Sequence, residues 1–348
     1  MNPVERFLHE EIEAGSFPGG VALVGDRDVV LLEAALGAAC VEPERGNAAA
    51  DTLYDLASLT KPLCTGALAA RAGGGLPLDA TPGRYLPAWK RTRYDGITIG
   101  RLLSHTSGLP AWFPFYARGE GAEAYRRTLA EMEPEARPGE RVIYSDVNFL
   151  LLGDLLEIVL GASLDASFGA LVAGPAGSGA RFGPVDPTSA AATEKSDRFE
   201  RAMTEARGLA YPRFREGVVR GEVHDGNAYR RGGIAANAGL FGTARDVWAL
   251  ARTWLDPELS RFGADRTPAL AEARGLAWQG RRGAGSAIAR MSDHAFGHTG
   301  FTGTSVWVDP VAGRVAVLLT NRIHPVVREI PFNDVRRRFH EAVYDAFP

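Results

Sequence analysis

Apolar residues first recur at helical spacing. Val4, Phe7, Leu8 and Ile12 form one stripe, Asn2 stands where a capping side chain belongs, Pro3 suits the first turn, and Gly15 closes the segment. Two short apolar runs follow, Gly20–Val24 and Val29–Glu33. They read as β-strands joined by the turn Gly25-Asp26-Arg27-Asp28. Near the other end, Thr304–Val308 and Arg314–Thr320 repeat this pattern around Asp309-Pro310 and Gly313. A last helix is expected from about Asn333, with Val335, Phe339 and Val343 four apart. Between these ends the pattern changes. Pro62–Ala72, Ala122–Met132, Val147–Leu160 and Thr193–Arg207 read as helices separated by Gly- and Pro-rich loops, and Ala173–Pro187 reads as a loop. The simplest assembly is an α+β fold. An antiparallel sheet is built from both termini and flanked by helices, and a mostly helical lobe is inserted between them. A cleft between two lobes is a usual place for a small-molecule site.

Composition narrows the function. The 348 residues are 45% hydrophobic and 23% charged, which fits a folded globular chain rather than a disordered one. A net charge of −3 gives no basic footprint for nucleic acid. No segment reaches the ~20 apolar residues of a membrane span. The N-terminal stripe reads as a fold-forming helix rather than a signal peptide, so a cytoplasmic location is expected. Cys40 and Cys64 lack metal-ligand spacing and read as reduced thiols. The cations are nearly all arginine. Only Lys61, Lys90 and Lys195 are lysines, and one of them falls inside the most informative motif.

That motif is Asp55-Leu56-Ala57-Ser58-Leu59-Thr60-Lys61-Pro62. Ser58 and Lys61 are three apart, so a helix starting here puts them on one face. A serine hydroxyl needs a neighbouring base and a positive environment to become nucleophilic, and a lysine one turn away supplies both. Taken alone, the pair also fits a capping serine with a solvated lysine. A second element, Tyr144-Ser145-Asp146, stands at a loop–helix junction, where a phenol near an ammonium can act as a base. A third, Phe296-Gly297-His298-Thr299-Gly300-Phe301, leads into a strand whose edge N–H offers half of an oxyanion hole, the N–H of Ser58 being the other half. Other chemistries fit less well. Ser104-His105-Thr106-Ser107 places serines too close along the chain to face the histidine. G-x-S-x-G and H-E-x-x-H are absent, and His224-Asp225 is too little for a metal site.

Together these segments resemble one superfamily: class C β-lactamases, DD-peptidases and family VIII carboxylesterases. Asp55–Lys61 is similar to its nucleophile motif, Leu103-Ser104-His105-Thr106-Ser107-Gly108-Leu109 to a signature loop in which His105 is structural, and Gly239–Ala244 to a segment before a helix. Tyr144-Ser145-Asp146 stands where the family has Tyr-x-Asn, and His298-Thr299-Gly300 where it has Lys-Thr-Gly. The resemblance implies a β-lactamase/transpeptidase-like fold, with an α/β lobe from about 1–56 and 236–348 and a helical lobe from about 57–235. It also implies an acyl-enzyme on Ser58, with Lys61 and Tyr144 sharing the proton transfer. Thr299, Gly300 and Phe301 would line the substrate and oxyanion site, Asp146 would orient Lys61, and no metal or organic cofactor is required. Two departures matter. Asp146 adds a negative charge beside Lys61, and His298 cannot serve as the permanent cation that a lysine provides. The His298 departure and the expected lack of a signal peptide favour esters or small amides over β-lactams or D-amino-acid peptides. A non-catalytic binder is the remaining alternative, and oligomeric state is not legible.

Overall fold

The computed structural model describes residues 1–90, 92–119 and 121–348. Its centre is an antiparallel sheet of seven strands: β1 (Gly19–Gly25), β2 (Val30–Cys40), β3 (Gly46–Asn47), β4 (Gln279–Gly280), β5 (Phe296–Thr299), β6 (Ser305–Asp309) and β7 (Arg314–Thr320). In space they run β3-β2-β1-β7-β6-β5-β4, so the two ends of the chain meet where β1 pairs with β7, Val21 opposite Leu319 and Leu23 opposite Val317. Alternation sends the strand residues to two cores. Ala22, Val24, Ala316 and Leu318 pack under α1 (Pro3–Glu13) and the C-terminal Phe332–Ala346 helix, with Val4, Phe7, Leu8, Phe339 and Val343. Val21, Leu23, Val317 and Leu319 face a larger core that continues into the middle of the chain. The Asn2 side chain accepts the Val4 N–H, and Glu5 returns a bond to the Asn2 N–H, which fixes the start of α1.

The expected elements form, with informative differences. The strand expected over Val29–Glu33 continues to Cys40, because β3 extends its pairing beyond the reach of β1. Phe296–Thr299 does not merely lead into a strand but is one, paired with β6 through His298 opposite Val306. The helix expected from Pro62 is α-helical only in α2 (Ala67–Ala72). Residues Ala57–Leu59 form a 3₁₀ turn and Lys61–Gly66 a π-helix. A proline at the second position removes a donor, and single π turns of this kind gather at functional sites. The helix expected over Val147–Leu160 is α3 (Asp146–Leu160), capped by the Ser145 side chain. The helix expected over Ala122–Met132 spans Gly121–Leu129.

The expectation of one helix over Thr193–Arg207 is corrected. Ala192–Lys195 is a strand paired with Val218–Arg220, and the helix proper, α4, runs only over Arg198–Glu205. Ser196 and Asp197 have φ of +66° and +44°, a left-handed turn that no helix continues through. The Arg215 guanidinium holds the Asp197 carboxylate at 2.8 Å, and the Glu194 carboxylate takes the second helical N–H, that of Phe199. The Ala173–Pro187 loop also carries structure: a helical turn at Gly174–Ala176 and the strand Arg181–Phe182, which pairs with Leu240–Gly242. Among the described residues no single helix is long and apolar enough to cross a membrane.

Candidate active site

Ser58 follows Ala57, whose φ of +47° is a strained setting for an alanine. The Asp55 carboxylate stabilises it, accepting the Ala57 N–H at 2.8 Å with one oxygen and the His224 N–H at 2.7 Å with the other. The β5–β6 turn clamps the same loop from the sheet side. Thr302 Oγ1 donates to the Asp55 carbonyl at 2.8 Å and Thr304 Oγ1 to that of Leu56 at 3.2 Å. Gly300 must be glycine here, since a Cβ would lie 2.8 Å from the Leu56 carbonyl oxygen. The N–H groups of Ser58 and Phe301, one from each side of this contact, have no acceptor among the described residues.

Lys61 is fully buried. Its ammonium has three protons and three oxygen neighbours: Ser58 Oγ at 2.9 Å, the Asn237 carbonyl at 2.9 Å and Asp146 Oδ1 at 2.6 Å. Burial opposes the charge, but the Asp146 carboxylate and then Tyr144 more than offset it, and the Lys61 pKa lies above its ordinary value. Lys61 therefore stands as an ammonium whose donors are all engaged.

The Tyr144 ring lies 5.1 Å from the Lys61 ammonium, with the Arg274 guanidinium 5.7 Å away, and its buried hydroxyl interacts with the same ammonium. His105 positions it. The imidazole stacks on Tyr144 at 4.5 Å, and its Nδ1 accepts the Ser145 N–H at 2.9 Å. That bond leaves Nδ1 bare, and burial followed by the charges of Arg274 and Lys61 keeps this histidine neutral. The adjacent serines are engaged elsewhere: Ser104 with Thr106, and Ser107 with Asn148.

His298 stands on β5, 5.8 Å from Tyr144 between ring centres. Its Nδ1 bonds the Thr299 carbonyl at 3.0 Å, which makes Nδ1 the protonated nitrogen and leaves the buried Nε2 a bare acceptor. Burial, with Lys61 and Arg274 adding to it, pushes its pKa well below the usual histidine range. Thr299 and Phe301 are half-buried along the same edge.

Several contributors lie outside the motifs read from sequence. Asn237 holds Lys61 through a backbone carbonyl, which no side-chain pattern signals. Glu194 pairs with His224 at 2.9 Å and lifts its pKa against burial. His224 in turn stacks on Phe301 at 5.5 Å. The clue was the Asp55 carboxylate inside the nucleophile motif, which had no assigned partner. Among the described residues no group of three or more His, Cys, Asp or Glu side chains could hold a metal ion, and Cys40 and Cys64 are free and buried.

A serine with an ammonium on its oxygen, a phenol beside that ammonium and two open N–H groups across a sheet edge define a serine hydrolase of the β-lactamase fold. The beta-lactamase family model matches residues 4–337, and the chain belongs to that family. Among curated relatives, a putative D-alanyl-D-alanine carboxypeptidase of Escherichia coli K12 is 28% identical over 94% of this chain and 84% of its own length. Among solved structures, EstCE1, a hydrolase with promiscuous acyltransferase activity, superposes with a TM-score of 0.73 at 23% identity, covering 96% of this chain and 97% of its own. A class C beta-lactamase does so at 0.73 and 16% identity, over 97% and 95%. At those identities the two structures share the fold.

Proposed function

We propose that this protein hydrolyses carboxylic esters or small amides through an acyl-enzyme on Ser58. The observation that carries the reading is the saturated ammonium of Lys61, 2.9 Å from Ser58 Oγ and 2.6 Å from Asp146. A protonated lysine cannot take the serine proton. Tyr144, whose hydroxyl lies beside that ammonium, is the base. Ser58 Oγ then attacks the carbonyl carbon, and the N–H groups of Ser58 and Phe301 take the developing oxyanion. Tyr144 returns the proton to the leaving oxygen or nitrogen as its bond to carbon breaks. Water adds to the acyl-enzyme by the same route, and Ser58 departs with the proton restored. Asp146 holds Lys61 charged, and Thr299, Gly300 and Phe301 form the edge along which substrate lies.

The preference for substrates without a carboxylate rests on His298. It is neutral and offers an acceptor rather than a cation. A peptidase reading is favoured by the name of the E. coli relative. Initial rates on a p-nitrophenyl ester and a chromogenic cephalosporin separate the two. The reading expects the ester to be cleaved well and the lactam poorly, and a lactam preference would overturn the substrate assignment.

A further inference from the structure

One aromatic side chain next to Phe301 lies outside the catalytic motifs. Phe199, the second residue of α4, is left 36% exposed although it is a large apolar side chain. Its ring packs tilted against Phe301, 4.8 Å between centroids and 38° between planes. This contact is built from several directions. The left-handed pair Ser196 and Asp197 ends the preceding strand and turns the chain into α4. Arg215 locks Asp197 with a buried ion pair. Glu194 spends one carboxylate oxygen on the Phe199 N–H at 2.8 Å and the other on His224 Nε2 at 2.9 Å. His224 then lies nearly parallel to the Phe301 ring, 28° between planes. The Arg322 guanidinium lies 5.1 Å from the same ring. One carboxylate thus fixes both aromatic neighbours of the residue whose N–H faces the oxyanion.

The direction of the substrate follows from the proposed mechanism, on which this inference rests. The leaving atom must face Tyr144, because its proton comes from there. The carbonyl oxygen faces the Ser58 and Phe301 N–H groups. The acyl substituent is left to point away from Tyr144, along the edge toward the side chains of Phe301 and Phe199. A half-exposed phenyl ring there gains from burial against a flat apolar group and gains little from an acetyl methyl.

We infer that Phe199, packed against Phe301, forms an apolar acyl subsite that selects substrates with an aromatic acyl group. The test compares kcat/KM for p-nitrophenyl phenylacetate and p-nitrophenyl acetate, which share a leaving group, in the parent, Phe199→Ala, Phe199→Tyr and Ser58→Ala. The parent should prefer the phenylacetate. Phe199→Ala should cut that preference about tenfold, chiefly through KM, as loss of one aromatic contact would. Phe199→Tyr, which keeps the ring, should restore it. Absence of a preference in the parent, or a Phe199→Ala variant whose ratio equals the parent's, overturns the subsite. Ester cleavage that survives Ser58→Ala would instead sink the nucleophile assignment beneath it, so the two failures are distinguishable.

Discussion

Replacing Asp146 by Asn removes one charge from the Lys61 contact while keeping an acceptor of nearly the same shape. At 2.6 Å and an effective dielectric near 20, the gross attraction is about 6 kcal/mol. Lys61 is wholly buried and its carboxylate partner one-fifth exposed, so much of that attraction offsets desolvation. Breaking a buried pair outright costs about 3–5 kcal/mol, and the retained hydrogen bond brings the expectation down to about 2–4 kcal/mol. For a chain of this size that is a fall in Tm of roughly 3–6 °C by differential scanning calorimetry. A second readout comes from protonation. In the parent the folded pKa of Lys61 lies above 10.5, so the stability from its charge is fully present below that pH and is lost only above it. Burial is already the largest single influence on Lys61, and without Asp146 it is no longer offset, so the pKa falls. The variant's kcat/KM for a p-nitrophenyl ester should therefore gain an alkaline limb at lower pH than any in the parent. A variant with Tm within 1 °C of the parent and an unmoved pH profile would refute the view that Asp146 keeps Lys61 charged.

Two other outcomes are expected. The buried Glu200 carboxyl accepts the Gly226 N–H, but burial and then the neighbouring Asp225 charge raise its pKa to about 8, against 4.5 for a free group. The unfolded chain releases this proton earlier, so stability is greatest below pH 4.5 and falls as pH rises through about 8. Glu200→Gln should remove part of that slope in urea unfolding at pH 5 and pH 8.5, by an amount on the order of a few kcal/mol at the upper end, and equal slopes would count against it. His298→Lys should raise kcat/KM for an anionic cephalosporin relative to a neutral ester, because it exchanges a bare acceptor for a cation on β5; no gain on the anionic substrate would contradict the carboxylate reasoning.

What sequence could and could not show divides by the range of the interactions. The terminal strands and helices were legible because alternation in β1 and β7 and the stripe in α1 each report which side faces a core. Ser58, Lys61, Tyr144 and His298 were legible because each lies within a short motif whose local geometry limits where the side chain can go. The π-helix at Lys61–Gly66 was not, since it depends on Pro62 combined with packing of Gly66 against Ala277. Thr193–Lys195 read as helix because its pairing partner, Val218–Arg220, lies more than twenty residues away and tertiary pairing overrode local pattern. The Asn237 carbonyl on Lys61 spans 176 residues, and a backbone oxygen carries no sequence signal. The Phe199 contact with Phe301 likewise depends on a left-handed turn at two non-glycine residues, held by Arg215 and Glu194.

The central claim is that Ser58 carries the acyl group. Intact-protein mass spectrometry after incubation with a serine-reactive alkyl phosphonate tests it directly, with peptide mapping to locate the adduct. One phosphonyl group on Ser58 in the parent, and none in Ser58→Ala, is the expected result. An adduct on another residue, or one that persists in Ser58→Ala, would contradict the assignment of the nucleophile.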